Sequence, residues 1–167
     1  MLSSTSNNIN ANSLNFGSFN FGSFNVRSAA NVNKAAAIHD IIADHNIDII
    51  ALQETWIPAD TSTTVKLDIA PPGFSVHHVH RQFVPGGPQR GGGLALIHRD
   101  DIKIQPLDLH FRLTSFEFQS LVVISSTPSV LIVNIYQPHS PPPPVFFDEL
   151  ATLLCNIAVD SNARLLL

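Results

Sequence analysis

The stretch Ile47-Asp48-Ile49-Ile50-Ala51-Leu52-Gln53-Glu54-Thr55-Trp56 constrains the fold of this chain more than any other. Its first six residues are almost all apolar, with isoleucine prominent, and the run is too short for an independent helix. That pattern fits a strand buried on both faces, as in a parallel sheet covered by helices. Polarity then flips abruptly at Gln53 and Glu54. A carboxylate at the carboxyl end of a buried strand sits where open α/β sheets place their chemistry. The plainer alternative is a glutamate that meets solvent because its strand has ended.

The segments before this strand favour the first reading. Phe16-Gly17-Ser18-Phe19-Asn20 is followed directly by Phe21-Gly22-Ser23-Phe24-Asn25, a local duplication too short for a repeat architecture. The second copy runs into Val26-Arg27-Ser28 and reads as a strand with Asn25 at or near its end, where asparagine also serves as a turn or cap residue. Asn31 or Asn33 then caps a helix carrying Ala35, Ile38, Ile41 and Ile42 on one face, and Asn46 supplies a left-handed stop. A strand, a helix and a second strand joined by a right-handed crossover make the two strands parallel. Asn25 and Glu54 are therefore expected to emerge at the same edge.

Composition bounds what such a unit can do. The chain has 167 residues, 44% hydrophobic, which suits one domain with a real core. Its longest apolar runs are strand-sized, so no membrane partner is expected, and the Asn/Ser-rich start is not a signal peptide. Cys155 is the single cysteine, which leaves no internal disulfide partner and suits a reducing, intracellular compartment, nuclear or cytoplasmic. The net charge is −4 with only nine Lys+Arg, a poor electrostatic footprint for a protein that draws its affinity from phosphate contacts.

The chain divides into a disordered tail over 1–15 and a folded domain over 16–167. Beyond Trp56, Pro58–Pro72 reads as a loop with some helix, and Phe74–His80 as a strand. Alternation there puts Val76, His78 and His80 on one face and His77 and Val79 on the other. The trio His77, His78 and His80 invites a metal reading that this alternation opposes. A glycine-rich loop, Pro85 to Gly93, feeds the strand Leu94–His98; it lacks a Gly-Lys-Ser/Thr ending, but its three consecutive glycines allow close backbone approach to a ligand or a neighbouring strand. Ile102–Leu107 continues as a strand. Phe116–Ser125 and Val130–Tyr136 read as an antiparallel hairpin ending in Tyr136-Gln137-Pro138, whose tyrosine could simply pack on the proline. Pro141–Pro144 is a stiff connector, and Val145–Ile157 an amphipathic helix with Phe146, Leu150, Leu153 and Leu154 toward the core. Arg164-Leu165-Leu166-Leu167 begins another buried strand.

Four segments taken together, Phe24-Asn25-Val26-Arg27-Ser28, Leu52-Gln53-Glu54-Thr55, Arg90-Gly91-Gly92-Gly93-Leu94-Ala95-Leu96 and Ile135-Tyr136-Gln137-Pro138, resemble the endonuclease/exonuclease/phosphatase superfamily. They are most similar to the endonuclease domains of non-LTR (LINE-type) retrotransposons. The likeness runs from about Phe19 to Leu167. It implies an α/β fold, a DNase I-like four-layer α/β sandwich with mixed sheets flanked by helices, and a Mg²⁺ (or Mn²⁺) site that cleaves phosphodiesters, with DNA as substrate. By the same likeness Glu54 binds the metal, Asn25 lies beside it as a catalytic residue, and Tyr136 contacts the scissile phosphate or its developing charge. Mg²⁺ takes hard oxygen ligands, often one or two carboxylates with waters and substrate phosphate. The bound cation then neutralises phosphoryl charge in the transition state.

Two departures from the family stand out. An arginine and two prolines usually follow the tyrosine, where this chain has Gln137, Pro138 and His139, so a phosphate-facing charge is missing. The later Gly-Asp-Phe-Asn and Ser-Asp-His motifs do not occur in these 167 residues, so an incomplete, inactive domain is expected; if the absent part supplies some of the second sheet, the hairpin is left with an uncovered apolar face and an open edge. An alternative within the superfamily is a phosphoesterase acting on a phospholipid or inositol phosphate. A different class altogether is a non-catalytic α/β interaction module. Oligomeric state is left open.

Overall fold

The computed structural model describes residues 19–80, 91–109, 113–138, 143–160 and 164–167. The expected N-terminal tail, residues 16–18 of the duplication, most of the glycine-rich loop, Pro141 and Pro142 lie outside the described residues. The elements follow the chain as β1 (Phe21–Asn25), α1 (Val32–Asp44), β2 (Ile49–Gln53), α2 (Thr63–Leu67), β3 (Phe74–Val79), β4 (Leu94–Arg99), β5 (Ile104–Pro106), β6 (Glu117–Val123), β7 (Val130–Tyr136), α3 (Pro144–Asp160) and β8 (Arg164–Leu166).

The first unit forms for the reasons its sequence supplies. The Asn31 side chain accepts from the Lys34 N–H and so caps α1, while Ala35, Ile38 and Ile42 turn inward. Asn46 takes the left-handed φ of +49° that lets the chain reverse into β2. β1 and β2 then pair in parallel, with Asn25 level with Gln53. Two four-stranded sheets result, in the orders β1-β2-β4-β3 and β5-β6-β7-β8. Each mixes parallel and antiparallel neighbours.

Three apolar clusters stack these elements into four layers. α1 packs Ala35, Ile38 and Ile42 against Ile50, Leu52, Ala95 and Ile97 on the outer face of the first sheet. The two sheets meet through Ile49, Ala51 and Leu96 on one side and Leu121, Val123 and Ile132 on the other. On the outer face of the second sheet Leu131 and Val133 pack against Leu153 and Ile157 of α3. Each fully buried Ile, Leu or Val side chain among these contributes about 1.5–3 kcal/mol. The order helix, sheet, sheet, helix is that of the DNase I-like α/β sandwich.

Two expectations are corrected. The hairpin of β6 and β7 has no uncovered apolar face: one side meets the first sheet and the other meets α3. Its edges are occupied by β5 and β8. The segment after α3 is a strand but not a buried one, since Leu165 is 45% and Leu167 63% exposed. Among the described residues it is an edge strand paired in parallel with β7, and of its leucines Leu166 packs against the inter-sheet cluster while Leu165 and Leu167 do not. In α3, Leu153 and Ile157 are the buried positions, with Phe146 and Leu150 packed beside them; Leu154 remains half-buried.

Candidate active site

The parallel pairing of β1 and β2 continues past both strand ends. Val26 N–H donates to the Gln53 carbonyl at 3.0 Å, Ser28 N–H to Glu54 at 2.8 Å and Ala29 N–H to Thr55 at 2.8 Å. To keep that pairing the backbone enters the left-handed region at Arg27 (φ +44°), Ser28 (+88°), Glu54 (+57°) and Trp56 (+54°). Each such conformation in a non-glycine residue costs about 1–3 kcal/mol and persists only where the surroundings over-determine it. Four of them within two adjacent segments mark this edge as built for something other than stability.

The strained turns bring Asn25 and Glu54 together. Asn25 Nδ2 donates to Glu54 Oε1 at 2.7 Å. Asn25 Oδ1 accepts from the Arg27 N–H at 3.3 Å, which sets the orientation of the amide. Trp56 Nε1 donates to the second oxygen, Glu54 Oε2, at 3.3 Å. The carboxylate is thus held at both oxygens by neutral N–H donors, and each oxygen keeps lone pairs for a further partner.

A second layer of contacts fixes this turn from below. Thr55 N–H donates to the Gly93 carbonyl and Trp56 N–H to the Gly92 carbonyl, both at 3.0 Å. Gly93 has φ +83°, and a Cβ there would lie 2.7 Å from Thr55 Oγ1, so glycine is required at that point. Gly93 N–H donates in turn to Glu117 Oε2 at 2.6 Å. Glu117 opens β6 and stands opposite Tyr136 in the antiparallel register. Two residues before Tyr136 on the same face, Asn134 Nδ2 donates to the Leu52 carbonyl near the end of β2 at 3.1 Å. Tyr136 therefore lies at the end of the sandwich that carries Asn25 and Glu54. The next residue, Gln137, has a buried Nε2 with no hydrogen-bond partner among the described residues.

The three histidines of β3 separate as alternation requires. His77 points between the sheets, where its ring stacks on His98 at 5.3 Å, while His78 stacks on His80 at 5.6 Å. His78 Nε2 lies 2.9 Å from the Lys66 carbonyl and His80 Nδ1 lies 3.0 Å from that of Ile57. Burial, and then the neighbouring His98, push the His77 pKa below its ordinary value. A cleft of about 290 Å³ opens beside His77, His78 and Gln119, away from Asn25, Glu54 and Tyr136.

Glu117 and Gly93 were not singled out individually from sequence, although the run of three glycines carries the signal of a close backbone approach. A lone glutamate at the start of a strand carries no such signal. The lone pairs left on the Glu54 carboxylate are hard oxygen donors of the kind a divalent cation takes, with water and substrate oxygens left to fill most of its positions. Among the described residues no group of three or more His, Cys, Asp or Glu side chains comes together.

Two facing mixed sheets between helices define a DNase I-like α/β sandwich. The chain belongs to the endonuclease/exonuclease/phosphatase family, whose model matches residues 17–167. Enzymes of that family generally use divalent metals. No curated protein matches the chain by sequence. Among solved structures it is similar to the human Nocturnin catalytic domain with bound sulfate anion, at 17% identity and TM-score 0.56, over 85% of this chain and 59% of that one. It is similar to AP endonuclease LMAP from Leishmania major, at 12% identity and TM-score 0.54, over 82% of this chain and 43% of that one. An endonuclease/exonuclease/phosphatase family protein from Leptotrichia buccalis matches at 15% identity and TM-score 0.54, over 85% and 63% of the two chains. At these identities the likeness is one of fold, and the chain spans about half the length of the structures it matches.

Proposed function

We propose that this chain carries the metal-binding edge of a divalent-metal-dependent phosphodiesterase acting on DNA, of the kind found in non-LTR retrotransposons. The observation that carries the reading is the 2.7 Å bond from Asn25 Nδ2 to Glu54 Oε1 at the end of two parallel strands. Glu54 is the residue that would hold Mg²⁺ or Mn²⁺, and Asn25 and Trp56 orient its carboxylate. When bound, the cation supplies charge neutralisation at the phosphoryl group. Tyr136 offers a phenolic O–H to a phosphate oxygen, and Gln137 adds a neutral amide where the resembling family has a charged arginine. The retrotransposon assignment is supported by the Arg90-Gly91-Gly92-Gly93 loop and by the short spacing of the four sequence segments.

One carboxylate leaves most coordination positions to water, so binding is expected to be weak. Titration calorimetry of the 167-residue chain with Mg²⁺ and Mn²⁺, beside Glu54→Gln, tests this; tight binding that survives the substitution overturns it. Catalytic groups that act as a unit lose most of the rate when one is absent. The 167 residues contain no Gly-Asp-Phe-Asn or Ser-Asp-His motif to orient water or protonate the leaving oxygen. In a supercoiled-plasmid nicking assay with Mg²⁺ the expected result is therefore no nicking by this chain or by Glu54→Ala. Nicking that disappears in Glu54→Ala would show the site to be self-sufficient.

A further inference from the structure

We propose that Glu117 is a positioning residue: it ties the Gly91–Gly93 segment, and through it Glu54 and Trp56, to the strand that carries Tyr136. The proposal rests on the reading of Glu54 as the ion-binding residue. Regular pairing between β2 and β4 ends at Gln53 and Leu94. Beyond that point Glu54, Thr55 and Trp56 run beside Gly93, Gly92 and Gly91 through the two bonds from Thr55 and Trp56 N–H. Every residue of these two short segments except Thr55 has positive φ. Ser28 and Ala29 N–H hold the Glu54 and Thr55 side of this pair, whereas the Gly93 N–H takes its partner from outside the sheet.

Glu117 is that partner. Its Oε2 receives the Gly93 N–H at 2.6 Å, a short, charge-assisted bond from the second sheet into the first. Gly93 is buried, so its N–H has no ready replacement from solvent. The same peptide unit carries the Gly92 carbonyl that holds Trp56, whose indole N–H bonds Glu54, and the next carries the Gly93 carbonyl that holds Thr55, itself 1% exposed. Because Glu117 is the cross-strand neighbour of Tyr136, one side chain sets the distance between the tyrosine of one sheet and the carboxylate of the other. Residues that orient a metal ligand through a second contact change ion affinity when lost, although they do not touch the ion.

Trp56 is the only tryptophan in the chain, so it reports on this arch directly. The experiment measures Trp56 emission and its quenching by Mn²⁺ in the 167-residue chain and in Glu117→Ala, Glu117→Gln and Glu54→Gln, with far-UV circular dichroism to establish folding. In Glu117→Ala the expected result is a red-shifted emission without Mn²⁺ and an apparent Mn²⁺ affinity lower by about tenfold or more. Glu117→Gln, which keeps an oxygen to accept from Gly93, should restore both most of the way. A folded Glu117→Ala whose emission and affinity match the parent overturns the proposal. So does Glu117→Gln losing Mn²⁺ as completely as Glu54→Gln, because Glu117 would then be a ligand. If Glu117→Ala does not fold, Glu117→Asp, one methylene too short to reach, should show the same two changes, and their absence counts against the proposal. If Glu54→Gln leaves quenching intact, the reading of Glu54 fails; the emission shift in metal-free Glu117→Ala still decides the positioning role.

Discussion

The layer between the two sheets is held together differently at its two ends. At one end Ile49, Ala51 and Leu96 face Leu121, Val123 and Ile132 in an apolar cluster, with the stacked rings of His77 and His98 beside it. At the other, on the same faces of the same strands, stand Gln53, Asn134, Gln119 and Glu117. Gln53 Nε2 donates to Asn134 Oδ1 at 2.6 Å, and Asn134 Nδ2 to the Leu52 and Ala95 carbonyls at 3.1 and 3.4 Å. Gln119 Nε2 donates to the His77 carbonyl at 2.9 Å. Burial of apolar area is non-directional: it presses the sheets together without setting their offset closely. Hydrogen bonds are directional, and a buried one left unmade is costly. The apolar end therefore supplies stability, and the polar end supplies the relative placement of Glu54 and Tyr136.

The largest expected effect falls on the apolar end. Leu96 is 0% exposed and sits at the centre of the inter-sheet cluster. Leu96→Ala should destabilise the chain by about 2–5 kcal/mol, the range for a large-to-small change in a closed core. The fluorescence of Trp56 at low denaturant should stay as in the parent. A shifted Trp56 spectrum in the folded variant would break the comparison, because the apolar end would then also place the site.

Next comes Asn134, 3% exposed. Asn134→Ala strips the Leu52 and Ala95 carbonyls of a donor and Gln53 of its closest acceptor, although Gln53 keeps Ser23 Oγ at 3.1 Å. Destabilisation of about 1–3 kcal/mol is expected from urea unfolding. Here Trp56 emission should move even in the folded state, the reverse of Leu96→Ala.

These two ends were not equally legible in the sequence. The convergence of Asn25 and Glu54 follows from local order, since a strand, a capped helix and a second strand allow one hand of crossover. The hairpin and its register likewise need only neighbouring residues. The polar end needs contacts across long separations, such as Gln119 with His77 and Asn134 with Leu52, 42 and 82 residues apart. No periodicity encodes those. A glutamine or asparagine alternating with apolar residues reads the same whether it faces water or a second sheet. Left-handed Glu54 and Trp56 are also invisible in advance, because neither residue type favours that region. The final leucines misled for the opposite reason: an apolar run reads as buried, but an edge strand with a single neighbour exposes it.

A carboxylate outside the inter-sheet layer gives a smaller, pH-dependent effect. Glu149 on α3 accepts from Thr114 N and Oγ1 and from Ser115 N and Oγ, between 2.6 and 3.1 Å. Burial raises its pKa, but these hydrogen bonds outweigh it and bring the value from 4.5 to about 2. A depressed carboxylate pKa means that the unfolded chain binds more protons between these values. The stabilisation is present above about pH 4.5 and is lost as pH falls toward 2. After solvent screening it amounts to about 1 kcal/mol. The difference in urea midpoint between the parent and Glu149→Gln should be visible at pH 6 and vanish near pH 2. A difference independent of pH would assign the contact to packing.

The smallest effect belongs to charges on the rim of the apolar end, and it sharpens what counts as a polar anchor. Arg99, at the end of β4, meets Asp48 and Asp101, each at 2.7 Å. Its hydrogen bond to Asp101 holds that carboxyl below its ordinary range. The two partners differ in setting. The Asp101 side chain is 65% exposed, whereas that of Asp48 is 16% exposed and also accepts from the Asn20 N–H at 2.8 Å. Exposed pairs are screened by water and salt and contribute little. Asp101→Asn should leave the unfolding midpoint where it was at 0.15 M salt. Asp48→Asn should lower it, because it weakens an acceptor of a backbone N–H at the start of the first sheet. Equal loss in both variants would mean that the ion pair itself matters on this rim, and that direction and burial are not what separate the anchoring bonds between the sheets from these.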